Sequence, residues 1–158
     1  MAKTVRTTDA SGELVLRRDS YAYAFEGGSN VPYLVFARVK YATYNGNQTI
    51  TLLVTGIDNY AFSNIGVYIL QGCVRANGAT TGNAKAIIPG RNASSLGFGY
   101  YKGDDGYVYF GVKRVATYSQ RTNITILHET GAPYPYEFDQ FYAGTTEPTG
   151  WTNITIAS

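Results

Sequence analysis

Sulphur, imidazole and charge are scarce in this sequence. Its 158 residues hold one cysteine, one histidine, one methionine and one tryptophan. A lone thiol, Cys73, permits no intrachain disulfide and no cysteine-rich zinc site, and its apolar, strand-like surroundings suit a buried thiol without chemistry. Lys and Arg total 13 against 11 acids, and a net charge of +2 lacks the concentrated positive field that nucleic-acid phosphates require. No run approaches the roughly 18 apolar residues of a membrane span, and the opening Met1-Ala-Lys-Thr-Val-Arg-Thr-Thr-Asp9 lacks the apolar centre of a secretory signal. The expectation is a soluble protein made in a cytoplasm, with neither nucleic acid nor membrane insertion among its partners.

Charged residues are 15% of the chain where an ordinary domain carries about 25%. Thr, Asn, Ser and Tyr must therefore make the surface polar. Residues that favour strands are abundant, with 18 Thr, 15 Tyr, 11 Val and 10 Ile, against 8 Leu, 5 Glu and 5 Lys. Chain length and a 44% hydrophobic share suffice for a real core without disulfide or metal staples.

Residues 1–29 are polar and small, and they read as an arm with one or two short strands, docked on a neighbour if ordered. From Tyr33 the pattern has a period of two. Tyr33–Tyr41 and Thr49–Thr55 form an expected hairpin about Asn45-Gly46, with Ile50, Leu52 and Val54 on one face. Gly66–Arg75 and Ala84–Ile88 read as further strands, and Gly97–Arg114 as a second hairpin turning at Gly103-Asp104-Asp105-Gly106. On its return arm Val108, Phe110 and Val112 share one face, Tyr107 and Tyr109 the other. The segments Thr122-Asn-Ile-Thr-Ile126 and Thr152-Asn-Ile-Thr-Ile156 repeat as two strands with the same polar and apolar demand. No helical stripe is sustained. The expected fold is all-β: an antiparallel β-sandwich, jelly-roll-like, over residues 30–158.

Enzyme signatures are weak. His128 shares strand parity with Ile124 and Ile126, and no Gly-x-Ser-x-Gly elbow accompanies it. Asp104-Asp105 and the Glu137/Asp139 pair are the nearest carboxylates, and turn chemistry accounts for them. No phosphate-binding glycine loop, metal-ligand set or cofactor motif is present. What stands out is the tyrosine excess, because tyrosine offers a flat apolar face and a hydroxyl at low entropic cost, suited to sugars or to partner proteins. The candidate ligand-binding residues are Tyr100, Tyr101, Asp104, Asp105, Tyr134, Tyr136 and Trp151.

The order of elements from residue 30 onward resembles the receptor-binding tip domains of tailed-bacteriophage fibres. The residues that carry it are Pro32–Val39, Thr49–Thr55, Gly66–Leu70, Gly99–Arg114 and Pro148-Thr-Gly-Trp151. The resemblance implies a virion protein, a homotrimer that binds bacterial surface glycan without being an enzyme, with no catalytic residues to carry over. The short arm, including Arg17 and Arg18, would dock on other virion subunits. The alternative is a decoration or adaptor protein of the capsid or tail. The third reading is a glycan depolymerase using carboxylates such as Asp104 and Asp139.

Overall fold

The computed structural model describes residues 4–8, 14–18, 22–27, 31–41, 47–56, 66–90, 96–114, 120–130 and 136–158. These form β1 (Thr4–Thr8), β2 (Leu14–Arg18), β3 (Ala22–Gly27), β4 (Tyr33–Lys40), β5 (Gln48–Thr55), β6 (Val67–Val74), β7 (Thr80–Ile88), β8 (Gly97–Lys102), β9 (Tyr107–Lys113), β10 (Gln120–Thr130), β11 (Tyr136–Gly144), β12 (Thr152–Ile154) and β13 (Ile156–Ala157). One short 3-10 turn spans Ala76–Gly78. Among the described residues no helix is long and apolar enough to cross a membrane.

The protein is an all-β sandwich. A six-stranded sheet runs β13-β7-β6-β5-β10-β3, a five-stranded sheet runs β11-β4-β9-β8-β12, and β1 pairs with β2 in a separate ribbon. Alternation builds the layers: on β5 Ile50, Leu52 and Val54 are buried, and on β9 Val108, Phe110 and Val112 are buried. These meet Leu34, Phe36, Tyr68, Leu70, Phe98 and Ile124 in one core between the sheets. Layers close this tightly only where one side is small. A Cβ on Gly72 of β6 would lie 2.6 Å from the Phe110 ring, so glycine there admits the ring from the opposite sheet. At one border of the core, buried Arg114 donates to Thr122 Oγ1 (3.3 Å) and to the Val31 carbonyl (3.1 Å).

The second expected hairpin is present: β8 and β9 pair from Gly97↔Lys113 to Lys102↔Val108, and the Gly103 N–H closes the turn on the Tyr107 carbonyl at 2.8 Å. The first is not. β4 pairs with β9 and β11, while β5 pairs with β6 and β10 in the other sheet. The connection from Lys40 to Gln48 exceeds a two-residue hairpin loop and carries the chain across the roughly 10 Å between layers. The repeated pentapeptides also diverge. The first lies within β10, whereas the second leaves the five-stranded sheet at Ile154 and joins β7 in parallel at Ile156.

Four further expectations change in detail. A register shift between Ile126 and His128 breaks their common parity, so His128 is exposed. Cys73 is half-buried rather than buried, because it lies opposite Thr49 and Thr81 and not in the core row. Glu137 and Asp139 stand in β11, not in a turn. Within residues 1–29, β3 pairs with β10 as a strand of the six-stranded sheet.

Candidate functional site

The outer face of the five-stranded sheet carries the chemistry. Alternation that sends Val108, Phe110 and Val112 into the core turns Tyr107 and Tyr109 outward, and Tyr101 of β8, directly opposite Tyr109, follows. On β4, Arg38 lies opposite Tyr109 on one side and opposite Glu137 of β11 on the other. Register alone thus lines up Tyr101, Tyr109, Arg38 and Glu137 across four strands.

Contacts hold the row firmly. Arg38 donates from Nε (3.1 Å) and Nη2 (2.6 Å) to Glu137 Oε2, and from Nη1 to the Tyr109 hydroxyl (3.3 Å). Asp105, on the β8–β9 turn, stands 3.6 Å from Arg38 Nη1 and accepts the Tyr109 hydroxyl at 2.6 Å. Tyr107 donates to Glu137 Oε1 at 3.1 Å. The guanidinium carbon also sits 4.2 Å from the Tyr107 ring centroid and 5.0 Å from that of Phe141, a cation–π arrangement. Tyr101 and Tyr109 stack with centroids 4.9 Å apart, and Phe141 meets Tyr109 edge-on at 5.5 Å.

The row is wet enough to be reached. Side chains of Asp105 and Glu137 are 45% and 47% exposed and that of Arg38 is 25% exposed. Desolvation, helped by the carboxylates they donate to, raises the Tyr107 and Tyr109 phenols above their ordinary value. Desolvation likewise raises Tyr101, and hydrogen bonds to Tyr109 and Glu137 raise Arg38. At neutral pH the row therefore presents protonated phenols and a guanidinium held as a cation.

The other end of the same face is sealed. Pro148-Thr149-Gly150-Trp151 forms a turn closed by Trp151 N–H on the Pro148 carbonyl (3.1 Å), with Gly150 at the positive φ of 79° that a type II turn requires. The turn lays the Trp151 indole over Gly99, where a Cβ would overlap it. The indole meets Tyr33 edge-on at 5.8 Å, and its N–H donates to Asn153 Oδ1 at 3.0 Å. Tyr33 is only 6% exposed and donates to Glu147 Oε2 at 2.9 Å.

The residues singled out from sequence are thus divided. Tyr101 and Asp105 belong to the row, and exposed Asp104 is beside them on the turn. Tyr100 packs toward the core against Phe110 and donates to the Thr80 carbonyl at 3.0 Å. Tyr136 packs toward the core with Phe138, and Trp151 belongs to the sealed end. Tyr134 lies outside the described residues, and Arg17 and Arg18 fall in β2, of which only the backbone is described. Sequence reasoning passed over Arg38, Tyr107, Tyr109 and Phe141 as ligand contacts. The outward parity of Tyr107 and Tyr109 was the available signal, but the partner strands that assemble them are distant in sequence. No group of His, Cys, Asp and Glu that could hold a metal occurs among the described residues.

No family model matches the sequence, and no curated protein does. The fold is shared with part of a solved structure. WceF of Pantoea stewartii, described as a glycan biofilm modifying enzyme with a bacteriophage tailspike-like parallel β-helix fold, aligns with a TM-score of 0.57 at 13% identity over 84% of this chain. A tailspike protein of Acinetobacter baumannii bacteriophage Fri1, described as a capsular polysaccharide depolymerase, aligns over 85% of this chain with a TM-score of 0.45 and 9% identity. The chain spans about a fifth of each, 21% in both cases. Among the described residues its strands pair antiparallel apart from β13 with β7, so this chain is not itself a parallel β-helix. Neither structure is described as a fibre head. The expectation of a protein that is not an enzyme is corrected here: the resemblance that implied it leads to a fold found within a glycan-modifying enzyme, and the fold gives no ground for excluding catalysis.

Proposed function

We propose that this chain is a glycan-contacting β-sandwich of a phage tail protein of the tailspike or fibre kind, presented on the virion as a homotrimer. The observation that carries the reading is the ordered aromatic row with a clamped arginine, Tyr101, Tyr109, Arg38 and Glu137, flanked by Tyr107, Phe141 and Asp105. Flat apolar faces beside fixed hydrogen-bonding groups are what a sugar ring, with apolar C–H faces and polar rims, can use. The low charge and tyrosine excess agree with it, and so does a fold neighbour described as acting on glycan. The segment that precedes β3, with Arg17 and Arg18 in β2, serves in this reading as the attachment to other virion subunits.

Binding of the folded chain to an array of bacterial envelope glycans, and competition with virion adsorption to host cells, test the reading. Retention on at least one envelope glycan, weakened about tenfold in Tyr109→Ala, is the expected result; no retention on any overturns it. The same incubations analysed for glycan chain length report whether bound glycan is also cleaved, with Asp104→Asn and Asp139→Asn as controls for carboxylate chemistry.

A second reading, a decoration or adaptor protein whose surface meets other virion subunits, is favoured by the large apolar side chains exposed on the other sheet. Ile87, Ile88 and Leu127 are each at least half exposed, at 52%, 55% and 50%. Co-purification with capsid or tail, impaired by Ile87→Ser while adsorption stays intact, distinguishes it.

A further inference from the structure

The hydrogen-bonding state of the row bears on which glycans it takes. All three nitrogens of Arg38 are engaged inside the protein: Nε and Nη2 by Glu137, Nη1 by Tyr109 with Asp105 behind it. Its guanidinium carbon lies over the Tyr107 and Phe141 rings. The guanidinium fork that would otherwise grip a carboxylate or phosphate in bidentate fashion is therefore occupied. Two of the phenol donors are spent in the same way, Tyr107 on Glu137 and Tyr109 on Asp105. Acceptors remain in excess, because each carboxylate has about four lone-pair directions and stands nearly half exposed at 45% and 47%. One cation set against two carboxylates also leaves the row with a local negative balance. Lys40, the next outward residue of β4, is exposed opposite Tyr107, and exposed Asp104 and Asp139 weigh against it on the turn and on β11.

Building on the glycan-contact reading above, we propose that the row selects uncharged, hydroxyl-rich glycans and rejects those bearing uronate, sialate or phosphate groups. A neutral sugar brings apolar faces for Tyr101, Tyr107 and Tyr109 and hydroxyl donors for Glu137 and Asp105. An acidic sugar brings acceptors and negative charge to a surface whose guanidinium edge already holds Glu137 and whose balance is negative. Glu137 is the gate of this selectivity: it occupies the guanidinium edge, and its removal hands that edge to a ligand.

The test titrates the full chain with two probe sets at low ionic strength, where charge effects are largest. Dextran and linear galactan serve as neutral probes; polygalacturonate and hyaluronate serve as acidic ones. Wild type is expected to retain a neutral probe at least tenfold more tightly than either acidic probe. Glu137→Gln, which keeps the shape and removes the charge, is expected to raise acidic-probe affinity at least fivefold. Asp105→Asn should act in the same direction more weakly, since it stands farther from the guanidinium, and it supplies the result if Glu137→Gln does not fold. Acidic probes bound as tightly as neutral ones by wild type, or unchanged in both folded variants, overturn the selectivity and leave the glycan-contact reading standing. Retention of neither set by wild type, with none on the envelope array, overturns the glycan-contact reading itself.

Discussion

Two ends of one sheet face carry the same kinds of residue with opposite consequences. Around Gly99 and Tyr33, the turn that ends at Trp151 folds back, the indole fills the groove over Gly99, and Tyr33 is left 6% exposed with its hydroxyl on Glu147. Around Arg38, Tyr101, Tyr107 and Tyr109 stand beside carboxylates that remain nearly half exposed. Both ends have aromatic rings, a carboxylate accepting a phenol and a cation near a ring, since Lys113 sits 5.7 Å from the Tyr33 centroid. The difference is the cover. Where a segment of the chain lies over the aromatics, they are core for that segment; where nothing among the described residues does, they stay at the surface.

The sealed end should cost most when cut. Trp151→Ala removes a ring packed over Gly99 and against Tyr33, and is expected to destabilise the fold by about 2–3 kcal/mol, below the full range for a core aromatic because the indole is half-buried. Urea unfolding measures this, and a stability loss under about 0.5 kcal/mol accompanied by lost glycan retention would erase the distinction between the ends. At the open end, Tyr109→Ala should weaken glycan retention by about tenfold, or about 1.4 kcal/mol. Its stability loss should stay near 1 kcal/mol, from the stack on Tyr101 and the bond to Asp105.

Smaller effects sharpen the contrast. Arg38→Lys keeps the charge but not the fork across Glu137 and Tyr109, and with exposed partners it should cost only about 0.5–1 kcal/mol by thermal unfolding. The smallest effect is on alkaline titration. Desolvation first, then Glu147, raises the Tyr33 phenol above 10.0, so the folded state holds that proton more tightly than the unfolded chain does. The resulting stability is fully present below about pH 10, the unfolded tyrosine value, and is lost as pH rises through the higher folded value. Glu147→Gln should bring Tyr33 back toward its ordinary value while leaving Tyr107 and Tyr109 raised, which an ultraviolet phenolate titration resolves.

Much of the fold was legible in the sequence because period-two alternation is local. The buried rows of β5 and β9, the β8–β9 hairpin and the sandwich class all follow from residues within a few positions of each other. The partners of β4 were not legible, since a seven-residue connection can close a hairpin or cross between layers, and the core decided for crossing. For the candidate site, Tyr101 and Asp105 were within reach because they belong to one hairpin. Arg38 and Glu137 were not, for they meet at a separation of 99 residues.

The sequence by itself determined the strands and which side of each faces the core, because a side chain's face depends only on its parity and on the hydrophobic effect. Tertiary structure decided which aromatics became surface and which became packing. That choice depends on which strands lie side by side and on where the chain returns to cover them, as Trp151 covers Gly99 and nothing described covers Tyr109. Long-range register sets both, and no local pattern encodes it.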